Sequence, residues 1–103
     1  MESKPSLSGK QRRHLRALAH HLEPVVLLGK QGVTDGLVDA VRVAIETHEL
    51  IKVKLGKECP ATTAEVGESL EAALGAHVVG AIGKTLIVYL RHRSEPKINL
   101  PRG

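Results

Sequence analysis

Pro24-Val25-Val26-Leu27-Leu28-Gly29-Lys30-Gln31-Gly32-Val33-Thr34-Asp35 is the stretch on which the fold turns. Four apolar residues behind a proline read as a short buried strand. Thr34 and Asp35 are residue types that cap helix N-termini, and an apolar-periodic segment follows them. The glycine pair therefore joins a strand to a helix. Two glycines open backbone angles closed to other residues and admit another backbone at close range, while the helix start offers unbonded N–H groups and partial positive charge. Lys30 adds a mobile cation at the tip. Most glycine pairs are ordinary turns, so an anion-gripping reading depends on what surrounds this one.

Upstream, the spacing predicts a helix from Ser8, with Leu15, Leu18, Ala19 and Leu22 as its buried stripe and Pro24 ending it. Its outer face is basic: Arg13, Arg16 and His20 fall on one row, Lys10, His14 and His21 on another. It runs into the strand that carries the glycines, which suggests one shared surface.

Downstream, Leu37, Val38, Val41, Ala44, Ile45 and His48 make the apolar face of a second helix, with Asp39, Arg42 and Glu46 outside. Residues 50–55 begin apolar and then alternate, as a half-exposed strand does. After a turn over 56–59, Pro60 starts a third helix with Val66, Leu70, Ala73 and Leu74 inward, Glu65, Glu68 and Glu71 outward, and Gly75 closing it. Two strand-like runs, 78–82 and 85–90, flank Gly83-Lys84, a hairpin signature.

This order predicts an α/β fold: a single domain, helix-strand-helix-strand-helix-strand-strand, with a mixed four-stranded sheet and three helices. Neighbours are parallel where a helix intervenes and antiparallel at the closing hairpin. Residues 1–6 read as a flexible arm, 7–101 as the domain and 102–103 as its end. Arg91, Arg93, Lys97 and Arg102, with Pro96 and Pro101, read as an extended basic tail.

The 103 residues suffice for one core. With no Phe or Trp and one Tyr, that core must be aliphatic. The lone Cys59 cannot form an internal disulfide, which fits a reducing compartment. No apolar run approaches membrane-span length and no signal-peptide core is present, so a cytoplasmic protein without a membrane role is expected. The net charge of +4 is unevenly spread. Residues 1–32 hold six Lys or Arg against two acids, 33–75 four against eight, and 76–103 five against one. A basic surface from both chain ends suits docking on a polyanion.

Enzymatic motifs are lacking. Gly83-Lys84-Thr85 resembles the end of a nucleotide-binding loop, but Val78 stands where the first glycine is required and a strand follows. His14, His20, His21, His48, His77 and His92 show no metal-ligand spacing, and His48 reads as a packed residue. Cys59 has no base assigned by the sequence. No catalysis, cofactor, metal or small-molecule substrate is expected. The scarcity of aromatics also argues against base stacking and for a backbone grip by glycines and cations, the device of KH domains.

Taken together, residues 7–20, 24–34, 48–54 and 82–89, with Ile98-Asn99-Leu100-Pro101 at the end, closely resemble the bacterial YhbY-like proteins, stand-alone members of the CRM (chloroplast RNA splicing and ribosome maturation) domain family. The resemblance implies an RNA-binding fold similar to the C-terminal domain of translation initiation factor three, associated with precursors of the large ribosomal subunit. It also implies RNA contacts at Gly29, Lys30, Gln31 and Gly32 and, on the first helix, at Lys10, Arg12, Arg13 and Arg16. Asp35 reads as a helix cap and not a contact. The expected partner is ribosomal RNA or a pre-ribosomal particle bound by a monomer. The competing reading is a protein-interaction module that docks a ribosomal protein or assembly factor through Glu65, Glu68 and Glu71.

Overall fold

A computed structural model describes residues 7–102; the arm assigned to 1–6 lies outside the described residues. The elements are α1 (Gly9–Ala19), β1 (Pro24–Leu28), α2 (Asp35–His48), β2 (Leu50–Leu55), α3 (Thr63–Leu74), β3 (His77–Ile82) and β4 (Thr85–Tyr89). They follow the predicted order. The sheet runs β1-β2-β4-β3, parallel between β1 and β2 and antiparallel on both sides of β4. The α3 crossover places β3 two positions away from β2, and the 83–84 turn folds β4 back into the gap. Of the expected parallel neighbours, β1 and β2 therefore pair while β2 and β3 do not. Gly83 supports the turn with φ 58°.

Strand alternation sends side chains to two separate cores. On one face Leu28, Ile51, Val53, Leu86 and Val88 meet Val41 and Ile45 of α2 and Val66 and Leu70 of α3. On the other, Leu50, Val79, Ile87 and Tyr89 meet Leu15 and Ala19 of α1, with Leu7, Ile98 and Leu100 packed beside them. Each fully buried aliphatic side chain contributes about 1.5–3 kcal/mol, so the absence of large aromatics is offset by covering both faces.

Several expectations need correction. β1 is an edge strand and not a buried one: Val26 and Leu28 face α2, while Val25 and Leu27 stay exposed because α1 does not reach over them. Leu18 and Leu22 are also exposed: only Leu15 and Ala19 of α1 are fully covered, and Leu18 and Leu22 line an open groove beside Val25 and Leu50. His48 is exposed beside them. Pro60 precedes α3 by three residues; Thr62 is the N-cap, closing a reciprocal box with Glu65. The opposite edge is protected. Val78 of β3 gives its N–H to Glu71 and receives Arg12 on its carbonyl, so charged side chains occupy that edge.

The segment after β4 is not a loose tail. α2 stops at Glu49, which has φ 63° and is 1% exposed. Its own N–H bonds the Ile45 carbonyl at 2.8 Å, and its carbonyl accepts from Leu90 at 2.9 Å. Its carboxylate accepts the backbone N–H groups of His92, Lys97 and Ile98. A left-handed glutamate costs on the order of 1–2 kcal/mol, which three charge-assisted hydrogen bonds outweigh. The chain end is held further by Gln11, whose side-chain amide donates to the Pro101 carbonyl at 3.0 Å.

Candidate nucleic-acid interface

The glycine loop forms as the sequence requires. The Gly32 N–H bonds the Gly29 carbonyl at 3.1 Å, closing a tight turn with Lys30 and Gln31 exposed at its tip. The two glycines do different work. Gly32 has φ 67° and is buried beneath Pro60, whose ring atoms would lie 3.5 and 3.6 Å from a Cβ placed there. Gly29 has open space where a Cβ would point, leaving its backbone accessible.

Beyond the loop, Thr34 caps α2 by accepting the Leu37 N–H at 3.1 Å, and Asp35 is the first helical residue instead of the cap. The cap is one-sided. In α1 and α3 the third residue, Gln11 or Glu65, reaches back to bond the cap's own N–H. In α2 that position is Leu37, which cannot, so this helix start keeps more of its donor capacity beside the glycine turn.

The register identifies surface that the sequence could not. Leu27 pairs with Lys54, Lys54 with Thr85, and Thr85 with Ile82, forming one cross-strand row on the α1 face. α1 does not cover this row: Leu27 is 65% and Ile82 60% exposed, and Lys54 lies open between them. The row runs from the glycine loop at one edge to the exposed Lys84 of the hairpin at the other. Lys52, two residues back on the same face, pairs with Ile87, which pairs with Gly80. The Arg16 stem lies over Gly80, where a Cβ would come 2.6 Å from Arg16 Cδ. Lys30, Lys54, Lys52 and Arg16 thus lead from the loop across the open sheet to α1. Sequence reasoning missed Lys52, Lys54 and Lys84; the Lys-Val-Lys alternation marked an exposed face without saying which one.

The first-helix residues do not gather around the loop. Arg12 donates to the Val78 carbonyl at 3.2 Å and Arg16 to the Val79 carbonyl at 2.8 Å, which fixes both at the β3 edge, three strands from β1. A bulge between Val78 and Gly80 lies at this point of the edge strand. Lys10 and Arg13 are exposed on the outer face of α1. The two predicted patches are separate, and the β2 lysines lie between them.

The acids of α3 have local roles. The Thr62 amide and hydroxyl hold the Glu65 carboxyl below its ordinary range against a smaller opposing effect of burial, and Glu71 accepts the Val78 N–H at 3.0 Å. Glu68 alone of the three is left facing outward without such a bond. Gly83-Lys84-Thr85 is a hairpin, as expected. Cys59 donates weakly to the Ala61 carbonyl at 3.7 Å. Among the described residues no group of three or more His, Cys, Asp or Glu could hold a metal ion, and no helix is long and apolar enough to cross a membrane.

This arrangement can be set beside known proteins. The model of the CRS1/YhbY (CRM) domain matches residues 7–90. The chain belongs to the CRM domain family. This CRM domain is 38% identical to a Bacillus subtilis protein named probable RNA-binding protein YqeI, over 92% of this chain and 99% of that one. It is 41% identical to an RNA-binding protein of Haemophilus influenzae, over 94% and 97% of the two chains. A Staphylococcus aureus protein solved in solution superposes with a TM-score of 0.79 at 32% identity, covering 93% of this chain and all of that one.

Proposed function

We propose that this chain is a non-enzymatic RNA-binding protein that acts on ribosomal RNA during assembly of the large ribosomal subunit. The observation that carries this reading is the surface at one end of the sheet. There, an accessible glycine backbone, a one-sided helix cap and lysines from a loop, a strand and a hairpin lie at the same end of the sheet. Backbone amides near Gly29 and at the start of α2 hold phosphates, and Lys30 neutralises one. Lys54 and Lys52 continue the track toward Arg16 and Arg13, with Lys10 and Arg12 at its margin. Such contacts position an RNA without reading its sequence, so selectivity comes from RNA shape. The family membership and the names of the relatives support the RNA reading.

Crosslinking in cells, followed by sequencing of the attached RNA, tests it. The expected result is a cluster of large-subunit ribosomal RNA sites that disappears in Gly29→Glu and Lys30→Glu. Scattered sites unchanged by either substitution would refute the proposal. In vitro, Lys54→Ala should weaken binding and reduce the dependence of log K on log salt by about one.

A further inference from the structure

One cleft lies away from the glycine loop. It has a volume of about 550 Å³ and is formed by Arg42, Ile45 and Glu46 of α2, Leu74 of α3, and the segment 90–94. Leu90 and Ile45 supply an apolar floor; Arg42 and Arg93 supply cations against the single carboxylate of Glu46, and Arg91, which also borders Gln11 and Tyr89 on the α1 side, stands at the rim. Arg42 is paired with Asp39 on its own helix, whereas Arg91 and Arg93 have no acidic partner among the described residues.

The turn carrying those two arginines is built and anchored. The His92 N–H bonds buried Glu49 at 2.9 Å, and the His92 ring nitrogen Nδ1 accepts the N–H groups of Ser94 and Glu95 at 3.2 and 2.9 Å. A closed turn tied to a buried carboxylate fixes the backbone from which both arginines extend, and their planar guanidinium groups suit a bidentate grip on phosphate.

Its place in the fold gives the cleft a role. α2 begins beside the glycine loop, and Arg42, Ile45 and Glu46, seven to eleven residues along it, line the near side of the cleft. β4 likewise starts at the hairpin end and runs into Arg91. From Thr85 at the hairpin end to Arg91 on the far side is six residues, about 20 Å at 3.3 Å per residue. One or two nucleotides held at the loop do not reach that far; a folded RNA does.

We propose that the cleft is a second RNA-backbone site, where Arg91 and Arg93 bind phosphates of a segment distinct from the one at the loop, so that the protein measures the separation of two backbone segments in a folded RNA. This rests on the reading that the glycine loop grips RNA.

The test compares two probes, a single-stranded oligonucleotide of about two nucleotides and a hairpin RNA of about 16 base pairs. Arg91→Ala/Arg93→Ala should lower hairpin affinity about tenfold and its salt slope by about two, leave the short oligonucleotide unaffected, and keep the thermal midpoint of a protein whose altered side chains are exposed. Arg91→Lys/Arg93→Lys should restore the salt slope while recovering only part of the affinity. Unchanged hairpin binding in the alanine variant overturns the inference, as does an equal loss on both probes. Gly29→Glu should weaken both probes; if it weakens neither, the loop reading fails and the two-point inference with it.

Discussion

The carboxylate of Glu49 accepts the backbone N–H of Ile98 at 3.0 Å, across 49 positions of the chain. With the bonds to His92 and Lys97, this one side chain ends α2, starts the turn into β2 and fixes the segment after β4. Glu49→Ala would leave three amides without their acceptor in a buried place. The expected loss is about 3 kcal/mol in denaturant unfolding, with faster hydrogen exchange at Lys97 and Ile98; Glu49→Gln should cost less, because one acceptor oxygen remains.

The same contact makes stability fall in acid. Burial raises the Glu49 carboxyl, but the backbone amides of His92, Lys97 and Ile98 together outweigh it and leave the group below 4.5. A carboxyl lowered on folding contributes stability that is present above its unfolded value and lost as pH falls through its folded one. Unfolding midpoints measured from neutral pH down through about 4.5 and below should decline, and the decline should be shallower in Glu49→Gln.

Tyr89, the sole tyrosine, provides a probe at the alkaline end. Burial, then the charge of Glu49, raises its phenol above 10.0, with Arg91 opposing. An acid raised on folding contributes full stability below its unfolded value and loses it as pH climbs through the folded one. Ultraviolet titration should show phenolate forming above pH 10.0, coincident with weakening of the fold. The hydroxyl is buried with no hydrogen-bond partner among the described residues, so Tyr89→Phe should cost less than about 0.5 kcal/mol and shallow the alkaline decline.

The glycines of the loop should separate fold from function. Gly32→Ala forces a side chain onto φ 67° beneath Pro60 and should cost about 1 kcal/mol or more, while Gly29→Ala meets nothing within 4 Å and should leave stability within about 0.5 kcal/mol. Thermal unfolding of the two variants checks this. Loss of RNA binding in Gly29 variants therefore reports on the grip, whereas loss in Gly32 variants also reports on the fold.

Local patterns made most of the architecture legible. The 3.6-residue spacing of Val41 and Ile45, the caps at Ser8 and Thr34, the closing Gly75 and the Gly83-Lys84 turn each act over a few residues, so their order along the chain yields the order of elements. Partnerships distant in sequence were not legible. Leu18 and Leu22 satisfy the periodicity of α1 as well as Leu15 does, yet they border an open groove with Val25 and Leu50 instead of a closed core. Arg12 and Arg16 look like free cations until β3 offers them its bulged edge.

By itself, the sequence determined the α/β composition, the glycine turn between a strand and a helix, the aliphatic core and the basic character of both chain ends, because these depend on residue type and spacing of nearest neighbours. Tertiary structure alone decided which face the lysines of β2 occupy, that β4 enters between β2 and β3, and that a glutamate in a left-handed cap holds the final segment. Those outcomes depend on register and burial. A strand exposes one face or the other according to what packs on it, and a carboxylate is worth burying only where amides from elsewhere in the chain converge on it.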